Sequence, residues 1–220
     1  MATRISSAPR PGTRGEPEKT RAAILKAAVH EFASEGVAGA RTDQIARAAG
    51  VNKALLYYYF KDKEALYGAV VDSIFEGMRD RLMAVLDSDL PPQEKIMQYV
   101  AAHFDYIASS PHFPRVVQQE MMRAGRKKSP HLKRIAQTNF VPIFLKLTNL
   151  FEEGMQSGKF RRVEVRPFVT CMVGAILHYF NTAPFRAAFG ESDPLSPEAI
   201  AIQRAAVLDF IAHALLKEQA

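Results

Sequence analysis

The side chains able to do chemistry gather in one short stretch, Thr42 to Lys63, which reads TDQIARAAGVNKALLYYYFKDK. Lys53, Lys63, the Asn52 amide, the Thr42 hydroxyl and the adjacent phenols of Tyr57, Tyr58 and Tyr59 are hydrogen-bond donors of the kind that meet phosphate oxygens and base edges. Their spacing is that of a helix-turn-helix. Ile45, Ala46 and Ala49 line the inner face of one helix, Val51 fills the turn, and Leu56 and Phe60 face inward from the next. Ala46 is small enough for two helices to cross closely. Gly50 can take a positive φ at the corner, so the polar face of the second helix projects outward. A major groove accepts one such helix.

The same residues carry a resemblance. Ile24, Ala28, Phe32 and Gly36, then Thr42, Ile45, Ala46 and Ala49-Gly50-Val51, then Leu56, Tyr57, Tyr59, Phe60, Lys63, Glu64 and Leu66 stand in register over about residues 18 to 68. In this the segment resembles the DNA-binding domain of the TetR family of bacterial repressors, and beyond residue 70 the likeness is one of helical architecture. The resemblance, together with side-chain chemistry, implies a role for each residue. Lys53, in the first turn of the recognition helix, donates to guanine O6 or N7. Ala54 allows close approach and touches a thymine methyl, and Tyr58 adds a base or sugar contact. The Tyr57 hydroxyl bonds a phosphate. Thr42 and Lys63 each open a helix and clamp backbone phosphates, while Asn52 serves as helix cap, phosphate donor or both. Leu55 departs from the pattern, since many relatives carry Thr or Ser there: either one phosphate contact is missing, or Leu55 meets a thymine methyl. Tyr59 is assigned mainly to the core.

These groups need helices to hold them, and the chain reads as helix after helix. Ile24, Ala28 and Phe32 recur every four residues, with Gly36 where a terminating glycine belongs. Thr42 is expected to cap a second helix through Ala49, Asn52 a third to about Phe60, and Asp62 a fourth reaching about Leu86. Pro91-Pro92 starts a fifth, and a sixth spans about Phe113 to Ala124. A long seventh runs to about Gln156 with a kink expected at Pro142. The eighth begins near Pro167 and the ninth at Ser196-Pro197. The expected fold is all-α, with about nine helices: a three-helix N-terminal DNA-binding domain and a larger helical ligand-binding and dimerisation domain. The expected division is a basic disordered arm over 1–15, the helix-turn-helix domain over 16–66, and the effector-binding and dimerisation domain over 67–220.

One recognition helix reads few base pairs, so such domains bind as symmetric pairs to palindromic half-sites. The charge-free run Pro167 to Phe185 and the ninth helix are the expected dimer surface, through Phe168, Met172, Ala175, Tyr179, Ala205, Leu208 and Ala212. Helices five to seven would enclose an effector pocket lined by His103, Phe104, Glu120, Met121, Phe140, Phe144 and His178. There Glu120 could select a cation, and His103 or His178 could anchor an acid. The default effector is lipophilic or aromatic. Arg123, Arg126, Lys127, Lys128, Lys133 and Arg134 form a basic stretch without an acid, read as a solvated loop or a site for an anion.

Composition bounds the rest. The chain has 220 residues, enough for a self-sufficient core, and a net charge of +6. Residues 1–70 hold 11 basic against 7 acidic groups, which raises the odds of a polyanionic partner. Cys171 is the only cysteine, which favours a reducing, cytoplasmic setting. The N-terminal arm, with Arg4, Arg10 and Arg14, lacks the apolar region of a signal peptide and could follow a minor groove. The polar and proline residues of the run 167–185 argue against membrane insertion. No enzyme is expected: Gly154 to Lys159 imitates a P-loop ending, but Phe160 stands where Ser or Thr must hold magnesium, and no hydrolase or Rossmann pattern is present. No cofactor and no metal site are expected. The partners are double-stranded DNA, a second copy of the chain and a small-molecule effector; the alternative is a DNA-binding dimer without effector.

Overall fold

The computed structural model describes residues 16–125 and 129–217. The arm over 1–15 and three members of the basic stretch, Arg126, Lys127 and Lys128, lie outside them. The chain divides into two compact units between Val71 and Asp72. Among the described residues the secondary structure is helical, apart from one isolated antiparallel bridge between Phe160 and Leu216.

The first unit holds α1 (Pro17–Gly39), α2 (Thr42–Ala48), α3 (Lys53–Tyr59) and the beginning of α4 (Lys63–Leu86). The stripe seen in the sequence is its core: Ile24, Ala28, Phe32, Ile45, Leu56 and Leu66 are buried, and the Phe32 and Tyr67 rings meet edge to face at 5.2 Å. Gly36 interrupts α1 with a φ of 66°, a left-handed conformation that costs glycine no Cβ clash. At the start of α4 the Asp62 carboxylate accepts from the Ala65 N–H at 2.8 Å, the cap its position predicts.

The second unit contains the rest of α4, then α5 (Pro92–Ala108), α6 (Phe113–Gly125), α7 (Leu132–Ile135), α8 (Val141–Gln156), α9 (Val165–Asn181), α10 (Ala183–Ala188) and α11 (Pro197–Leu215). Two prolines shape it beyond what the sequence reading anticipates. Before Pro142 the backbone widens into a π-helical turn, Ala136–Phe140, which joins α7 to α8. A proline has no N–H to offer the preceding turn, and the wider turn absorbs the mismatch. The charge-free run 167–185 is two helices rather than one. Thr182 N donates to the His178 carbonyl at 3.0 Å as α9 ends, and Pro184 lies in the first turn of α10.

Candidate nucleic-acid interface and ligand cavity

α2 and α3 meet through a tight corner. Gly50 has a φ of 69°, and Val51 N donates to the Ala46 carbonyl at 2.9 Å. The Asn52 side chain then accepts from the Leu55 N–H at 2.7 Å, capping α3 as expected. From this capped start, Lys53, Ala54 and Tyr58 face solvent, Tyr58 being 81% exposed. The Lys53 ammonium lies 6.0 Å from the centre of the Tyr57 ring. Leu55 and Tyr59 are half-buried.

Two residues occupy different positions from those expected of phosphate clamps. Thr42 is buried and does not cap α2; Arg41, in extended backbone, precedes the helix, and Thr42 is its first residue. The Thr42 hydroxyl is instead within 3.1 Å of the Tyr57 hydroxyl, tying α2 to α3. Lys63 donates to the carbonyls of Ala38 and Ala40, both at 3.1 Å, and so staples the α1–α2 link to the start of α4. Two of its three N–H donors are thereby committed.

The second unit contains a partly open cavity of about 210 Å³. Its wall includes His103 from α5, Met121 from α6, Phe140 from the π turn and Phe144 from α8, as the sequence reading expects. Three expected members are elsewhere. Phe104, next to His103 and so about 100° round the helix, packs against Phe180 at 5.1 Å. Glu120 is buried but turned toward Ser129, whose hydroxyl donates to it, and toward Arg123 at 3.7 Å. His178 is exposed on α9. In their place Phe75, Met78 and Leu82 of α4, and Val169, Val173 and Leu177 of α9, join the wall, with Tyr99, Phe113, Val117, Ile143 and Leu147. Both triplets follow helical spacing and were visible as apolar stripes; what the sequence did not reveal is which stripe faces the cavity.

Tyr99 and His103 are the polar-tipped residues in this lining. Their rings meet edge to face at 6.0 Å. Burial pushes the His103 imidazole down to about 4 and raises the Tyr99 phenol, so both are neutral near pH 7. The buried Nδ1 of His103 has no hydrogen-bond partner in the protein.

Comparison with known proteins bears on both units. Residues 24–70 match the domain described as bacterial regulatory proteins, tetR family, and residues 92–211 match the tetracyclin repressor-like C-terminal domain. The HTH-type transcriptional repressor NicS of Pseudomonas putida is 30% identical over 168 residues, covering 75% of this chain and 77% of its own. The chain belongs to the TetR family. Two solved structures share the fold of this TetR-family regulator. KstR2 of Mycobacterium tuberculosis, described as a ketosteroid transcriptional regulator, superposes with a TM-score of 0.72 at 19% identity, over 96% of this chain and 99% of that one. FadR of Bacillus subtilis, solved in complex with stearoyl-CoA, gives 0.67 at 22% identity, over 88% and 98%.

In this DNA-binding regulator the expected dimer residues divide between two faces. Met172 and Tyr179 are buried within the protomer, the Tyr179 hydroxyl donating to the Pro194 carbonyl at 2.7 Å, so neither can form an outer surface. Phe168, Ala175, Leu208 and Ala212 are half-buried, and Ala205 is exposed. The outward side of α9 is instead Thr170, Cys171, Gly174 and His178, and that of α11 includes Ile202 and Phe210, 72% and 58% exposed. Arg134 of the basic stretch pairs with Asp72. Among the described residues no helix is long and apolar enough to cross a membrane, and no His, Cys, Asp and Glu cluster suits a metal ion.

Proposed function

We infer that this TetR-family regulator is a repressor that holds a palindromic operator as a homodimer and releases it when a small apolar effector fills the cavity. The observation that carries the reading is the α3 surface: a side-chain-capped helix with Lys53, Ala54 and Tyr58 in solvent and Leu56 buried on its other side. In this reading the domain over 16–66 binds DNA and that over 67–220 binds effector and dimerises, in a cytoplasmic setting. Lys53 reads guanine, Ala54 admits a thymine methyl, and Tyr58 reaches base or sugar. Tyr57 meets a phosphate, with Thr42 as the partner that orients its hydroxyl. Lys63 offers its third N–H and Asn52 its amide N–H to the DNA backbone, and half-buried Leu55 either leaves one phosphate contact unmade or meets a thymine methyl.

Effector control is favoured over a constitutive regulator by the apolar cavity and by α4. That single helix buries Leu66, Tyr67 and Val70 near its start and gives Phe75, Met78 and Leu82 to the cavity wall farther on. A molecule pressing on the later residues therefore acts on the helix that begins in the DNA-binding unit. Selection of bound fragments from random duplex DNA tests the first half: an enriched palindrome is expected, and enrichment of an asymmetric site, or of none, overturns it. Operator affinity measured with and without a cavity-binding molecule tests the second, and equal affinities overturn effector control.

A further inference from the structure

Thr42, at the start of α2, is turned inward onto Tyr57, and the residue before it stands in solvent. That residue, Arg41, is held at three points. Its backbone N–H donates to the Glu31 carboxylate of α1 at 2.9 Å, and its carbonyl accepts from the Gln44 and Ile45 N–H groups, both at 3.1 Å. Its guanidinium grips the Asp43 carboxylate from two sides, Nη2 to Oδ2 at 3.1 Å and Nε to Oδ1 at 3.4 Å. The Arg41 side chain is nonetheless 63% exposed. We propose that Arg41 contacts a DNA phosphate and that Asp43 is the positioning residue that holds it, so that the pair rewards correctly docked duplex over DNA at large. This rests on the reading of α3 as the DNA-facing helix and deepens it.

The pair lies beside that helix. Thr42, between the two in the chain, brings its hydroxyl within 3.1 Å of the Tyr57 hydroxyl of α3. Asp43 is also within electrostatic reach of Lys53. Desolvation by itself would raise the Asp43 carboxyl, but the Arg41 guanidinium and, from α3, the Lys53 ammonium hold it below its ordinary value. The cation assigned to a base and the cation assigned here to the backbone thus share one carboxylate.

Folding does not account for the pair, because an exposed ion pair adds little to stability. DNA binding does. A guanidinium has five N–H donors in a fixed fork, and Asp43 takes two, which among the described residues leaves three for an oxyanion. A loose arginine reaches whichever phosphate is near and loses rotamer freedom when it does. One pinned at backbone and head is ordered beforehand and meets a phosphate at one place only. Asp43 is the only acid between Arg41 and Lys61. A carboxylate on a surface that meets a polyanion repels it, so Asp43 disfavours loose docking while its partner favours the correct one.

Two duplexes of equal length test this by fluorescence anisotropy of the full chain over a salt series: the palindrome selected from random DNA, and a random-sequence duplex. In Arg41→Gln the palindrome should bind at least fivefold more weakly, with a salt slope shallower by about 1 per protomer. Asp43→Asn keeps the shape and removes the charge. In it the random duplex should bind several-fold more tightly and the palindrome no more tightly, so that the ratio of the two affinities falls at least threefold. A pair with a merely structural role would leave that ratio and the salt slope where they are. An unchanged slope in Arg41→Gln, or an unchanged or higher ratio in Asp43→Asn, would overturn the proposal. Urea midpoints near the wild-type value are expected for both variants and show that the changes act on binding. The palindromic-operator reading fails separately, when no sequence is enriched from random DNA. In that event the random duplex still decides: tighter binding by Asp43→Asn supports the proposal, and unchanged or weaker binding overturns it.

Discussion

Lys53 and Tyr57 stand one helical turn apart on α3, yet their loss should be felt differently. Lys53→Ala removes a base contact, and the expected result is relaxed preference at one position of each half-site with a loss of about 1–3 kcal/mol per contact. Tyr57→Phe removes a hydroxyl that bonds Thr42 and is assigned to phosphate, so binding should weaken about equally for all sequences. Binding-site logos for both variants measure the contrast, and an unchanged logo for Lys53→Ala would refute its assignment. His103 carries a prediction about acid. Its imidazole is pushed to about 4 in the folded protein, against about 6.5 when unfolded. Below pH 6.5 the unfolded chain takes up a proton that the native one refuses, so stability present above 6.5 declines as the pH falls toward 4. The loss from this group is about 2 kcal/mol by pH 5. Urea midpoints at pH 7 and pH 5 should show a smaller drop for His103→Leu than for the wild type.

At the scale of elements, the stretch that imitates a nucleotide-binding loop has a structural account. Gly154 ends the buried face of α8, and a Cβ there would lie 2.3 Å from the Phe160 ring. Gly158 has a φ of 70° as the chain leaves the helix. The turn delivers Phe160 into the core, and Arg161 N then donates to the Leu215 carbonyl at 2.8 Å, fastening the end of α8 to the end of α11. The glycines are required by close packing and a tight turn, and the lysine that follows is incidental to them. Gly154→Ala should therefore destabilise the protein by about 1–3 kcal/mol through overpacking, read as a lower urea midpoint. An unchanged midpoint would mean that Phe160 has room to move. The prolines teach a related lesson. Pro142 and Pro184 were both visible in the sequence, but whether a proline kinks a helix, widens one turn or divides it in two depends on what packs around it.

For the whole molecule, the outer apolar faces of α10 and α11 bear on assembly. α11 buries Val207, Ile211 and Leu215 inside the protomer while Ile202 and Phe210 remain in solvent on its other side, and Phe185 and Phe189 of α10 are also exposed. A helix that is apolar on both sides calls for cover on both. A second copy is the expected cover, with the small residues Thr170, Gly174 and Ala205 allowing close approach. On the proposed homodimer, Ile202→Glu should sediment as single chains where the wild type sediments as pairs, and operator binding should weaken greatly. A variant that still sediments as a pair would move the interface elsewhere.

Sequence alone determined the helical class, the recognition segment and the inner faces of its helices. Those rest on local chemistry: caps such as Asn52, the Gly50 corner and four-residue apolar spacing need no distant partner. Only the tertiary structure decided what each side chain beyond a local turn meets. Thr42 and Lys63 carry the right groups for phosphate, but their partners are Tyr57, fifteen residues on, and the carbonyls of Ala38 and Ala40, more than twenty residues back. Phe104 and His103 are chain neighbours that face different surroundings, and Met172 and Tyr179 belong to the protomer core rather than its outside. An apolar stripe records that a face is buried. Against what it is buried depends on how the helices pack, which is a property of the folded chain and not of any one segment.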